Sequence, residues 1–339
     1  MGIFKDTMAE LNVSQQQVEN SKELQNFILS VIKRKSSGNW YQYMNGNGFC
    51  EINKQNGTLI TTILTDDEFH PEFPCNIDCN LSNRCNNACS FCYLGCTPEG
   101  QDANLIKLLN DTNSFLYSLH EGTELALNGN EPLHPDLDKL LEFCKDRGIL
   151  ANLTVQENTL IKHRDQLENW LNNGLIHGIG ISPAIYSDEM IEFCKKYPTA
   201  VIHTIAGITT QEQYKSLMDK NLKVLILGYK AFGKGITYKE HFEKQVSNKI
   251  AWLKNSIKDF INHFKVVSFD NLAIEQLNPR SFLTDEEYAK FFRGEDGGHT
   301  MYIDLVDETF AKNSIQPKEN HMPLMNDVRD MLAEIHKRG

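Results

Sequence analysis

Val224-Leu-Ile-Leu227, preceded by Lys223 and followed by Gly228, is a short uninterrupted apolar run ending on a glycine. Four apolar residues are too few for a helix and suit a strand buried on both faces, as parallel strands under helices are. Working outward from it, strands are expected at 76–81, 124–127, 149–155, 178–181, 200–205 and 223–227, and helices at 103–120, 136–146, 160–173, 188–197 and 211–220. Asp136 near a helix start, Gly148 after its end, Ser187 before another helix and Pro198 closing it act as start and stop signals. Strand–helix units in this number build a parallel α/β sheet or barrel. The helix segments Leu140-Leu-Glu-Phe-Cys-Lys145 and Met190-Ile-Glu-Phe-Cys-Lys195 fit repetition of one structural unit.

The flanks differ from this core. Residues 1–35 carry an apolar helical stripe at Leu24, Phe27, Ile28 and Val31, and 41–64 reads as two strands around the turn Lys54-Gln-Asn-Gly57. Residues 1–69 are therefore expected to be a helix and β-hairpin appendage, 70–235 the core, and 236–339 an α+β extension. In the extension, Phe242, Val246, Ile250, Leu253, Ile257, Ile261 and Phe264 recur at helical spacing and predict a long helix over 239–264. A strand-like 265–277 follows, suited to a seventh strand closing a barrel. Then come a short helix near 284–292, a hairpin over 301–313 and a terminal helix from 326.

The 339 residues are 40% hydrophobic, and the formal charge is 34 − 45 = −11. No broad cationic surface exists to neutralise nucleic acid or an anionic membrane, although Lys230, Lys234 and Lys239 could form a local basic groove. No apolar run has the roughly 20 residues needed to span a bilayer, and 1–35 does not read as a signal peptide. The expected compartment is the cytoplasm, where thiols stay reduced, so nine cysteines argue for something other than disulfides.

Six of the nine lie between Cys75 and Cys96, and the 339 − 194 = 145 residues after Cys194 hold none. The tight group reads Cys85-Asn-Asn-Ala-Cys89-Ser-Phe-Cys92-Tyr93, a C-x3-C-x2-C run. Three thiolates on one short loop can converge on an iron–sulfur cluster. Zinc is a minor possibility, since no second C-x2-C pair and no His pair follows. Cys144 and Cys194 sit at helical core positions, and Cys50 in a strand; all three read as inert core thiols. Cys75, Cys79 and Cys96 could form an additional site, but inert positions explain them as well.

With an aromatic residue, Phe91, just before its third cysteine, this run resembles the signature of the radical S-adenosylmethionine (SAM) enzymes. The resemblance covers roughly residues 73–230 and implies a partial (β/α)6 barrel. It also implies an oxygen-sensitive [4Fe–4S] cluster on Cys85, Cys89 and Cys92, whose fourth iron is left open for the amino and carboxylate groups of SAM. A second motif agrees: Leu125-Ala-Leu-Asn128 runs into Gly129-Asn130-Glu131-Pro132, similar to the family's Gly-Gly-Glu-Pro turn, with Asn130 in place of the second glycine. Asn tolerates unusual backbone angles, which keeps the turn feasible. By resemblance, Glu131 would hold the SAM ammonium, Ser182 and Gln156 would touch the ribose, and Leu227 and Gly228 would offer backbone to the adenine.

The implied chemistry is one-electron reductive cleavage of SAM to a 5′-deoxyadenosyl radical that abstracts hydrogen from a substrate, a peptide or protein side chain or a small metabolite. An external flavodoxin or ferredoxin would supply the electron. Substrate-facing candidates are Lys230, Asp270 and Tyr229, followed by Glu157, His203 and Asn271. The cysteine-free last 145 residues leave no place there for an auxiliary cluster. The competing reading is a non-catalytic iron–sulfur protein for electron transfer or sensing. Gly228-Tyr-Lys-Ala-Phe-Gly233-Lys234-Gly235 nearly spells a P-loop, but Gly235 stands where Ser or Thr should ligate Mg2+, and no helix is expected to start directly there.

Overall fold

Asn45-Gly46-Asn47-Gly48 and Lys54-Gln-Asn-Gly57 are two turns, and they fold residues 40–63 into three strands where the sequence reading expected two. β1 (Trp40–Asn45), β2 (Gly48–Asn53) and β3 (Leu59–Ile63) form an antiparallel meander. The missed turn depends on Gly46, which has φ +57°, and a Cβ there would lie 1.7 Å from the His70 carbonyl oxygen. The computed structural model describes residues 3–19, 21–22, 24–26, 28, 40–63, 68–292 and 294–338. Helices occupy Ile3–Glu10 and Gln15–Glu19. Of the expected N-terminal stripe, Phe27 and Val31 lie outside the described residues, while Leu24 and Ile28 pack with Met8, Val18 and Phe49.

The core strands form close to the expected positions: β4 (Asn76–Asn80), β5 (Glu124–Gly129), β6 (Leu150–Gln156), β7 (Gly178–Ser182), β8 (Ala200–Ile205) and β9 (Lys223–Leu227). They pair in parallel in sequence order, with β10 (Val266–Phe269) beside β9. On the other side of β4, β11 (Thr300–Asp304) pairs in parallel, and β12 (Thr309–Ala311) and β13 (Met322–Pro323) continue antiparallel. The chain is thus a mixed α/β protein with a ten-stranded, mostly parallel sheet.

Parallel strands laid down in sequence order with crossovers of one hand place every crossover helix on the same side. Burial follows this rule. Ile77, Leu125, Leu127, Leu153, Val155, Ile179, Ile181, Ile202, Val224 and Ile226 are buried with helical residues such as Leu140, Leu160, Trp170, Met190, Phe193 and Tyr214. The alternate positions are far more polar: Asn76, Asp78 and Asn80 on β4, Asn128 on β5, Asn152, Thr154 and Gln156 on β6, Ser182 on β7 and His203 on β8. The expectation of strands buried on both faces is corrected accordingly: one face is dry and the other is polar and partly open.

That open face curls on itself. β4 and β9 are five strand steps apart, about 24 Å in a flat sheet at roughly 4.8 Å per strand. Yet Lys230, just past β9, interacts electrostatically with Asp78 of β4 and donates to Ser314 Oγ (3.1 Å), just past β12. Asn271, following β10, donates to Asp296 Oδ1 (2.6 Å), which precedes β11. These contacts join the two flanks of the sheet and require strong curvature.

Several helices depart from expectation. The helix predicted over 103–120 is only Leu105–Asn110 followed by a 3-10 turn, Phe115–Ser118. Asp111 Oδ1 captures the Asn113 amide (3.0 Å) and Ser114 Oγ caps the Leu108 carbonyl (2.7 Å), local bonds that end a helix. The predicted 265–277 strand splits at Asp270, whose side chain caps a helix over Asn271–Leu277. The long helix begins earlier than predicted, at Lys234, and runs to Phe260 with a kink at Phe242. A helix therefore does start directly after Gly233, contrary to expectation. Gly233 has φ +50°, and a Cβ there would lie 2.4 Å from the Tyr93 carbonyl, so this turn packs against the cysteine loop.

Candidate functional site

Residues 83–97 leave β4 and cross the end of the sheet as an irregular loop, because their backbone groups bond across the loop and to neighbouring strand ends. Cys85 N–H donates to Thr97 O (2.8 Å), and Asn86 N–H to Glu131 O (2.6 Å) beyond β5. Arg84 and Asp102 form an ion pair at its base. Deeper down, Asn80, Asn128 and Asp304 form a side-chain network: Asn80 Nδ2 donates to Asp304 Oδ2 (3.1 Å), and Asn128 Nδ2 to Asn80 Oδ1 (3.0 Å) and Ser82 O (2.9 Å). None of these three residues was singled out from the sequence.

Cys85, Cys89 and Cys92 are partly exposed on this loop and lie within electrostatic reach of one another. Hydrogen bonding from the Cys96 thiol, then from the Cys96, Leu94 and Gly95 amides, outweighs burial and lowers the Cys92 thiol to about 6. The shift favours the thiolate, the form that binds metal. Burial, then the neighbouring Cys92 and Cys85, raises Cys89, whose sulfur accepts from Gln156 Nε2 (3.3 Å) at the end of β6. Cys96 is buried, and its thiol hydrogen-bonds Cys92. The remaining cysteines stand elsewhere: Cys144 and Cys79 lie in the main core, and Cys194 packs against it. Cys50 and Cys75 lie under the meander.

Among the described residues, no three His, Cys, Asp or Glu groups are close enough to hold a single metal ion. A four-iron cluster asks for something else, since each cysteine binds its own iron and the sulfurs stand apart around it. Three half-exposed thiols on one loop, with hydrogen bonds that lower the Cys92 thiol, fit that donor set. Phe91 packs edge-on against Tyr238 (centroids 5.9 Å apart) and fastens the loop to the long helix. Lys234 contributes its amide to Cys92 O (3.0 Å) and its Nζ to Cys96 O (2.5 Å).

The Gly129–Pro132 turn lies beside this loop. Asn130 lacks the positive φ of a glycine; instead its amide donates to Ser82 O (2.8 Å) and Arg84 O (3.0 Å), stitching the turn to the loop. Asn130 thus acts at this turn through its side chain rather than through an unusual backbone angle. Burial alone would raise the Glu131 carboxyl, but hydrogen bonds from Lys162 and His163 hold it below its ordinary range. Its carboxylate pairs with the exposed Lys162 and with His163 Nε2 (2.9 Å), neither of which was singled out from sequence. Ser182 pairs in register with Gln156, so both stand at neighbouring strand ends. Leu227 ends β9, and Gly228 donates its amide to Asp270 Oδ1 (2.8 Å).

Three substrate-facing candidates are engaged structurally. Glu157 is fully buried and accepts from the amides of Ala184, Ile185, Tyr186 and Ser187 (2.7–2.9 Å) and from Ser187 Oγ (2.5 Å). Tyr229 donates its hydroxyl to Gly235 O (2.6 Å). Asn271 orients Asp296. Lys230, Asp270 and His203 face the open side of the sheet together with Asp78 and Asp296. Lys230 Nζ stands 4.2 Å over the Tyr93 ring. No helix of the described residues is long and apolar enough to cross a membrane. No protein-family model and no curated protein matches the chain.

Proposed function

We propose that this chain is a radical SAM enzyme in which Cys85, Cys89 and Cys92 hold a [4Fe–4S] cluster. The observation that carries the reading is convergence: the three-cysteine loop, the Glu131 turn and Gln156 meet at the ends of β4, β5 and β6. The curved, singly wound order of β4 to β9 supports the partial (β/α)6 barrel that the resemblance implies, with residues 1–69 as an appendage and 236–339 as a covering extension. An external flavodoxin- or ferredoxin-type donor and a cytoplasmic setting belong to the same proposal.

Cluster and SAM together supply reductive cleavage of the sulfonium, delivering a 5′-deoxyadenosyl radical for hydrogen abstraction. The chain's residues bind and orient. Glu131, held by Lys162 and His163 Nε2, would offer an ionised acceptor to the SAM ammonium, in competition with the exposed Lys162 Nζ. Gln156 and Ser182, at neighbouring strand ends, would hold the ribose, and Leu227 and Gly228 would line the adenine. Asn130 holds the Glu131 turn and the cysteine loop in one frame.

A non-catalytic iron–sulfur protein is the second reading, favoured by one feature: the Glu131 carboxylate is already engaged by the Lys162 ammonium and by His163 Nε2. Electron paramagnetic resonance of the anaerobically reconstituted, reduced protein separates the two. Enzyme chemistry requires SAM to alter the cluster signal; a signal indifferent to saturating SAM leaves the non-catalytic reading.

A further inference from the structure

At the starting ends of β6, β7 and β8, opposite the end of the sheet that carries the cysteine loop, a cavity of about 330 Å3 lies between the meander and the core. That is room for a small ligand. Tyr41 of β1 and the turn residues Lys54 and Gln55 form its meander side. Its core side takes in the C-terminal ends of two helices, Leu137–Asp146 and Arg164–Asn172. Each of these helices is followed by a left-handed glycine in the wall, Gly148 (φ +69°) and Gly174 (φ +65°). A Cβ on Gly174 would meet nothing within 4 Å, so the wall there faces open space. Leu171, Leu175 and Ile149 give the wall an apolar stretch.

The chain carries a formal charge of −11, yet this wall holds two lysines, Lys54 and Lys145, and no Asp or Glu. Glu121 stands against Gly148 without joining the wall. Lys54 Nζ rests 4.2 Å over the Tyr41 ring, and Lys145 Nζ donates to the Asn173 carbonyl (2.9 Å). Neither ammonium has a carboxylate partner among the described residues. His177, also in the wall, has its Nε2 buried and without a hydrogen-bond partner among the described residues. The turn after β2 covers this nitrogen without bonding it: a Cβ on Gly57 would lie 3.8 Å away. Burial lowers the imidazole below its ordinary range, which favours the neutral ring. A buried polar atom left unpaired is costly, and such atoms call for a partner.

We propose that this cavity binds a small organic anion, a carboxylate or phosphate on an apolar body. Lys54 and Lys145 take the acidic group, with His177 Nε2 as a further donor beside it. The apolar body lies along Leu171, Leu175 and Ile149. Lys54 comes from the meander and Lys145 from the core, so the bound anion ties the two together. The site lies at the other end of the sheet from the cysteine loop and is independent of the iron–sulfur chemistry.

Calorimetry on the full-length protein, with benzoate and phenyl phosphate as probes and benzamide and benzylamine as controls, tests it. At least one anion should bind saturably, the tighter of the two identifying the acidic group, and the neutral and cationic controls should not. Lys54→Met and Lys145→Met, both at exposed positions, should each weaken that binding roughly tenfold, the worth of one hydrogen bond to a charged group. His177→Leu should weaken it several-fold. The bound anion should also raise the thermal midpoint of the wild type as its concentration rises. Circular dichroism establishes that each variant is folded, and the two lysine variants carry the test if His177→Leu is not. No saturable binding of either anion, an unchanged affinity in any folded variant, or benzamide binding as tightly as benzoate overturns the proposal.

Discussion

Glu157→Gln isolates the most heavily bonded buried carboxylate in the molecule. Glu157 Oε2 accepts from three consecutive amides and Oε1 from the Ser187 amide and hydroxyl, which fixes residues 184–187 directly behind Ser182. Glutamine keeps the shape but has one acceptor oxygen. Turned toward the three amides, it points its own NH2 at the Ser187 N–H and leaves that donor orphaned, a cost of roughly 1–3 kcal/mol. The remaining bonds lose their charge assistance, which about halves their strength. We expect a loss of about 3 kcal/mol at pH 7, or roughly 6 °C in thermal midpoint at about 2 °C per kcal/mol. Burial works to raise Glu157, but bonds from Ser187, Ile185 and Ala184 hold it below the ordinary glutamate value of 4.5. A depressed folded pKa stabilises above the unfolded value and loses that contribution as pH falls through the folded one. Urea denaturation should therefore show the gap between wild type and variant narrowing as pH drops below 4.5. A loss under about 1 kcal/mol at pH 7, or a gap that stays constant in acid, refutes the reasoning.

Three further outcomes are expected. Alanine at Cys85, Cys89 or Cys92 should abolish iron–sulfur absorbance and activity, whereas Cys144→Ala should leave both intact, because Cys144 is buried in the core; iron and sulfide analysis checks this. Asn130→Gly should accelerate cluster loss in air by removing the amide that ties the Glu131 turn to the Ser82 and Arg84 carbonyls, read as the decay of visible absorbance. Lys162→Ala should tighten SAM binding several-fold in calorimetry, since the ammonium no longer displaces a rival cation from Glu131; weaker binding would show that Lys162 assists rather than competes.

How much was readable in advance depended on whether the signal was local. β9 formed at the residues expected, because a continuous apolar run bounded by a polar turn and a glycine leaves few alternatives, and β8 formed there too, just after the helix-ending Pro198. The 265–277 stretch misled because its Asp270 looked like a polar strand end, when an Asp three residues before a free amide is also a helix cap. The open face was hidden by reading Val224–Leu227 as typical, while Asn76-Ile-Asp-Cys-Asn80 already alternates polar and apolar and could have revealed it. At the site, cysteine spacing was enough to single out Cys85, Cys89 and Cys92. The Lys162 and His163 partners of Glu131 and the electrostatic reach of Asp78 to Asp296 depend on contacts between distant segments. Glu157 and Tyr229 were chosen as polar groups at strand ends, where backbone anchoring and catalysis call for the same residue types.

The measurement that bears most directly on the central claim is 5′-deoxyadenosine formation from SAM by the anaerobically reconstituted, chemically reduced protein. The account predicts 5′-deoxyadenosine and methionine in equal amounts from the wild type and none from Cys89→Ala. A fully loaded cluster that accepts electrons yet releases no 5′-deoxyadenosine would contradict it.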